Sequence, residues 1–187
     1  MHICASLGLL KDGQAKLLKD SGVDRYNHNL ETSKRHFLNV VNSHTWESRY
    51  STLLKARDAG LELCTGSLTG MGESKLDWVH MAYELKELNP ESIPINFLNP
   101  RPGTPFSEIA KLTPEDALKI LCIYRYVHPK ADIRIAGGRE EILVDQQSEG
   151  LRIANSIFID GYLTTPGQGK SKDLTMIEEA GFNIIIT

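Results

Sequence analysis

Short runs of alternating apolar residues end in turn formers, and each is followed by residues at helical spacing. His2 to Ser6 is the first predicted strand, and Leu7-Gly8 turns out of it. Asp12 is the expected cap of a helix over Gln14 to Asp20, with Leu17 and Leu18 inward and Gly22 as its stop. Val23 to Leu30, VDRYNHNL, is the next strand. It carries Tyr26, Asn27, His28 and Asn29, too polar for an ordinary core strand, so one face is expected to line a site. After the polar connection 32–43, Thr45 caps a helix through Arg57, with Tyr50, Leu53 and Leu54 at helical spacing and Gly60 past its end.

Leu61 to Leu68 reads as the central strand. Cys64 sits in it, and Gly66, Gly70 and Gly72 follow as a ligand-cradling loop. Leu76, Val79, Leu85 and Leu88 mark a helix ending at Asn89-Pro90. Ser92 to Leu98 is a strand bearing Asn96, and residues 99–105 form a stiff turn-rich loop. Thr113-Pro114-Glu115-Asp116 starts a helix whose apolar face is Ala117, Ile120, Leu121, Tyr124 and Val127. Asp132 to Ala136 is a strand holding Arg134, followed by a helix from about Glu140 to Glu149 that ends at Gly150. Ser156 to Ile159 is the last strand; a loop over 161–172 follows, and Asp173 caps a short helix to Ala180, stopped by Gly181.

These are about six strand–helix units at a period of roughly thirty residues, the period of a βα repeat. The predicted class is α/β: an incomplete (β/α)₈ TIM-type barrel, a single domain over 1–187, about two units short of the ~250 residues of a closed barrel. An open doubly wound sheet is the alternative. In a barrel, every strand's C-terminal end faces one mouth. Cys4, Asn27, Asn29, Cys64, Asn96 and Arg134, from five successive strands, then converge there. Taken singly, each asparagine reads as a satisfied turn residue and Arg134 as half of a salt bridge; their conjunction argues for a site.

Composition narrows the classes. A net charge of −3 over 187 residues gives no basic footprint for nucleic acid, and no apolar run approaches the ~20 residues that span a bilayer. Three scattered cysteines do not make a disulfide framework and point to a reducing compartment. Cys122, on an amphipathic helix, is expected in the core. The histidines show no zincin spacing and the glycine loop is no P-loop; a hydrolase has no Ser/His/Asp or paired-carboxylate pattern behind it.

Tyr26-Asn27-His28-Asn29-Leu30-Glu31-Thr32 resembles the YNHNLDT signature of biotin synthase, a radical S-adenosylmethionine enzyme. So do Cys64-Thr65-Gly66 with Gly70-Met71-Gly72-Glu73, Ser92 to Asn96, Ile133-Arg134 with Gly138-Arg139-Glu140, and Ala154 to Phe158 with Leu163 to Gln168. The resemblance implies a (β/α)₈ barrel in which a [4Fe–4S] cluster on a CxxxCxxC loop cleaves S-adenosylmethionine. It also implies a [2Fe–2S] cluster whose sulfur closes the ring of dethiobiotin. It makes Cys4, Cys64 and Arg134 three of four [2Fe–2S] ligands. Asn27, Asn29 and Asn96 become substrate contacts; Asn29, Glu31, Arg49 and Leu68 become cofactor contacts, Glu31 standing where the family commonly has aspartate. Arginine is an unusual ligand, since free guanidinium has no acceptor. The sequence has no CxxxCxxC, and the fourth [2Fe–2S] cysteine is absent too. The expectation is a C-terminal portion of such an enzyme, inactive alone, cytoplasmic or mitochondrial if eukaryotic. Its implied partners are dethiobiotin, a second copy as homodimer, and a flavodoxin or ferredoxin electron donor, with no nucleic acid or membrane. A non-catalytic half-barrel that holds a cluster or dethiobiotin and needs a partner chain is the other reading.

Overall fold

The computed structural model describes residues 1–159, 161 and 167–185. The resemblance at Leu163 to Pro166, and much of the predicted loop there, lie outside the described residues. The strands are β1 (Cys4–Ala5), β2 (Arg25–Asn27), β3 (Glu62–Cys64), β4 (Ser67–Thr69), β5 (Ser92–Phe97), β6 (Asp132–Ile135) and β7 (Ser156–Ile157). All pairings are parallel, in the order β1-β2-β3-β5-β6-β7, and β4 also pairs with β5. Cys64 faces Ser92 and Ser67 faces Ile95, so β3 and β4 share one register and are one strand interrupted at Thr65-Gly66.

The strand order follows the chain with no reversal. A doubly wound sheet reverses at a switch point, whereas a barrel winds in one direction. The arrangement is therefore part of a singly wound barrel, with β1 and β7 as its terminal strands among the described residues.

Parallel strands turn alternate side chains to opposite faces. Tyr26, Leu63, Ile93, Ile95, Ile133 and Ile135 pack into one core cluster with residues of the helices, each at most 1 % exposed. Those helices include α1 (Gln14–Asp20), α2 (Trp46–Asp58), α3 (Lys75–Leu88) and α4 (Pro114–Val127). Thr45 caps α2 by accepting from the Ser48 N–H, and Thr113 caps α4 by accepting from Asp116. The predicted face of α4, from Ala117 to Val127, is buried throughout.

Several helical expectations need correction. Leu17 of α1 is exposed, and Ala15 is the buried residue there. Asp12 does not cap α1; Gly13 does, while Asp12 pairs with Lys55 at 2.7 Å. Leu76 is exposed too, because α3 buries Trp78, Met81, Ala82, Leu85 and Leu88 instead. The helix expected over 140–149 is broken into α5 (Arg139–Ile142), a 3₁₀ turn (Val144–Gln146) and α6 (Gln147–Leu151), with Val144 at φ 48°. Gly150 is no stop: it lies inside α6, where a Cβ would come within 2.8 Å of Ile135. Asp173 does not cap α7 (Lys170–Glu179). It is buried within it and accepts from Arg139 Nη2 at 2.6 Å. Cys122 is exposed on α4, off the helix's packed face.

Gly66 is required by close approach. A Cβ there would sit 1.8 Å from the Pro94 carbonyl oxygen. Gly66→Ala is expected to push β5 away and cost about 3 kcal/mol or more. Gly13→Ala, at φ 79° in open space, is expected to cost only about 1–2 kcal/mol of backbone strain. Chemical denaturation of both variants checks the contrast; equal losses would remove the packing explanation.

Candidate functional site

The polar site wall is the sheet face opposite the helices. Arg25, Asn27, Glu62, Cys64, Ser92, Asn96, Arg134 and Ser156 occupy alternate positions to the core residues, and Cys4 joins them from β1. Arg25 lies in register with Cys4 and Glu62, and Asn27 with Cys64. Arg134 lies in register with Pro94 and Ser156.

Cys4, Cys64 and Arg134 are close enough to act on one another electrostatically. Cys4 is exposed, but its partial enclosure raises the thiol pKa, the Cys64 thiol adds to the rise, and Arg25 and Arg134 oppose it. Burial raises the Cys64 thiol as well, opposed by Ser92, Arg134 and Arg25. Arg134 has no acid partner in an ion pair among the described residues, contrary to the salt-bridge reading of it. Its Nε donates to Ser156 Oγ at 2.9 Å, and its guanidinium lies 5.2 Å from the Phe158 ring centroid. Two thiols and a cation thus share one face. Among the described residues no three His, Cys, Asp or Glu side chains gather to hold a metal ion. Thiols are the donor chemistry that an iron–sulfur group takes, and the guanidinium beside them is a cation.

The asparagines divide. Asn27 is half-buried and makes no side-chain hydrogen bond to the described residues, so its amide is available to a ligand. Asn29 accepts from the Gly66 N–H through Oδ1 at 3.1 Å. Asn96 donates to the Ser67 carbonyl at 3.2 Å and accepts from the Gly137 N–H at 3.0 Å. It laces β4 to the loop after β6, with one N–H and one lone pair in reserve.

Glu31 has φ 72°, an uncommon conformation for a side-chain-bearing residue. Its main chain bonds with Gly66 and Leu68, joining the YNHNL segment to β4. Burial raises its carboxyl pKa, and Arg49 pulls it back. Arg49 donates from its Nε to His44 at 2.8 Å, and from its Nη1 to the Asn29 carbonyl at 2.7 Å and to Glu31 at 3.3 Å. Leu68, half-buried on β4, offers an apolar contact on the same face.

The glycine loop is not an open cradle. Glu73 accepts from the Gly70 and Met71 N–H groups at 2.6 and 2.7 Å and from Trp78 Nε1 at 3.0 Å. Sequence reasoning missed Arg25 and the part Glu73 plays in closing the glycine loop. The alternation of VDRYN around buried Tyr26 carried the signal for Arg25; nothing local marked Glu73 as the loop's own acceptor.

A Radical SAM superfamily profile matches residues 1–85, and a Biotin and Thiamin Synthesis associated domain profile matches 94–183. The chain is 55% identical to a biotin synthase of Salinibacter ruber over 186 residues, covering 100% of this chain and 52% of that protein. It is 51% identical to one of Rhodopirellula baltica and 48% to one of Bacillus subtilis, each over 98% of this chain. The chain is similar to biotin synthases along its whole length. It spans about half the length of the curated biotin synthases it matches. Among solved structures, methylornithine synthase (PylB) superposes with TM-score 0.79 at 16% identity, over 100% of this chain and 59% of that one. HydG, a maturase of the [FeFe]-hydrogenase, gives 0.80 at 17%, over 97% and 44%. At such identities these neighbours speak to the fold alone, a parallel α/β barrel present here in part.

His28 stands apart from the site wall. It faces the helix side, 8 % exposed, and its Nε2 has no hydrogen-bond partner. Burial, helped by Arg49 and His44, pushes its pKa down to about 4. The unfolded chain then binds more protons than the folded one between about pH 6.5 and 4. Stability from keeping His28 neutral is full above that window and is lost as pH falls through it, by on the order of 2–3 kcal/mol. Denaturant unfolding of parent and His28→Gln across this range is expected to show a shallower slope in the variant. Parallel slopes would contradict the burial account.

Proposed function

We propose that residues 1–187 are one portion of a radical SAM barrel that takes part in sulfur insertion into dethiobiotin, the biotin synthase reaction. What supports this most is the placing of Cys4, Cys64 and Arg134 on one sheet face in a chain about half identical to biotin synthases throughout. In this reading those three residues hold a [2Fe–2S] cluster on three sides. When bound, that cluster supplies the sulfur atom, while S-adenosylmethionine and a [4Fe–4S] cluster supply the hydrogen-abstracting chemistry. The 187 residues contain no CxxxCxxC to hold the second cluster. The remaining contacts come from this chain's own side chains.

Asn27 offers an amide donor and acceptor to the ureido group of dethiobiotin. Asn29 and Asn96 spend part of their hydrogen-bonding capacity on Gly66, Ser67 and Gly137, and so fix the strand ends against which the substrate would be oriented. Glu31, turned by its positive φ and steadied by Arg49, offers a carboxylate to ribose hydroxyls, and Leu68 an apolar surface to adenine. A homodimer, a flavodoxin or ferredoxin as electron donor and a cytoplasmic setting belong to the same reading. No helix among the described residues is long and apolar enough to cross a membrane.

Iron and sulfide content after anaerobic reconstitution tests the ligand set, with Cys4→Ala, Cys64→Ala and Cys122→Ala beside the parent. The parent and Cys122→Ala are expected to hold the group, and the other two to lose most of it. A parent that takes up no iron, or uptake indifferent to Cys4 and Cys64, would contradict the assignment.

A further inference from the structure

β2 lies between the two strands that carry the thiols. Its first residue, Arg25, is in register with Cys4 on one side and with Glu62 on the other, and Cys64 stands two residues beyond Glu62 on the same face. Arg25 Nε and Nη2 both donate to Glu62 Oε2, at 2.9 and 2.6 Å. That grip fixes the guanidinium and leaves Nη1, with its two donors, free of hydrogen bonds to the described residues. The Arg25 side chain is only 18 % exposed, so its charge is weakly screened by solvent. Burial works against the Arg25 charge, but Glu62 and the two thiols hold its pKa above the usual arginine value.

We propose that Arg25 is a second cationic residue of the thiol-bearing face, positioned by Glu62, and that it tunes the charge of the iron–sulfur group held by Cys4, Cys64 and Arg134. The inference rests on the ligand reading given above. The potential of such a cluster is set by net local charge, hydrogen bonds to sulfur and solvent exposure. A cation beside a reducible group stabilises the form carrying the extra electron and raises its potential. Arg25 supplies that cation and, through Nη1, donors for a sulfur acceptor. Glu62 acts through Arg25: it orients the guanidinium and offsets part of its charge. Removing Arg25 therefore does two things in the same direction, deleting a positive charge and leaving Glu62 uncompensated. Removing the Glu62 charge does the opposite.

The test is a mediated dithionite titration of the anaerobically reconstituted chain, followed by visible absorption. One electron enters the group from dithionite and no bond is broken. At a fixed poise, Arg25→Met is expected to raise the oxidised-to-reduced ratio at least tenfold, a fall in potential of about 59 mV for one electron. Glu62→Gln is expected to lower that ratio, and Arg25→Lys to stay within about threefold of the parent. Opposite signs for two partners of one ion pair are not produced by a merely structural loss. If Arg25→Met does not fold, Glu62→Gln and Arg25→Lys still decide the matter. A parent that holds iron while its variants titrate alike would overturn the role of Arg25 alone; a parent without iron would overturn the ligand reading and this role with it.

Discussion

Every inner strand of this sheet has to satisfy two environments at once, and the two-residue period of a strand is what lets it do so. One set of positions carries Tyr26, Leu63, Ile93, Ile95, Ile133 and Ile135 into the helical layer. The other carries Arg25, Asn27, Cys64, Asn96 and Arg134 to the opposite face. A slip of one residue in any strand would put its polar groups into the core and its isoleucines on the site. Burial of the apolar set therefore fixes the register of the polar set, and the site inherits its geometry from the core.

The strand ends need a different device, because β3 and β4 are interrupted at Thr65-Gly66. There the contacts are backbone to backbone and asparagine to backbone. Gly66 comes so close to Pro94 that no side chain fits. Asn29 closes on Gly66, Asn96 bridges Ser67 and Gly137, and Tyr124 donates to Ser67 Oγ from the helix side. These polar side chains look like ligand contacts when only their sequence is known. Part of their hydrogen-bonding capacity is already spent on holding four neighbouring segments together, which is why they sit where a ligand would meet a rigid wall.

Much of this was legible before the fold was known. Thr45 and Thr113 are strong caps with local mechanisms, and α2 and α4 begin where those mechanisms place them. The pattern of polar residues in VDRYNHNL foretold a two-faced strand. What failed were choices between chemically similar residues whose environment is set from afar. Leu17 reads as inward and Leu76 as one of the apolar marks of its helix, yet both are exposed, because Ala15 and Trp78 occupy the packed side of their helices. Asp173 has the sequence signature of a cap, yet its carboxylate is claimed by Arg139, 34 residues earlier. Gly150 reads as a helix stop but is small because Ile135 lies against it. Such tertiary pairings leave no trace in local spacing.

The face assignment on β2 is the claim on which the site rests, and two adjacent residues isolate it. Tyr26 is fully buried and donates to the Gly8 carbonyl at 2.7 Å, while Asn27 is half-buried on the other face. Urea unfolding of Tyr26→Ala and Asn27→Ala measures the two environments directly. The alternation predicts a loss of about 3–5 kcal/mol for Tyr26→Ala and within about 0.5 kcal/mol for Asn27→Ala. Similar losses at both positions, or the reverse order, would contradict it.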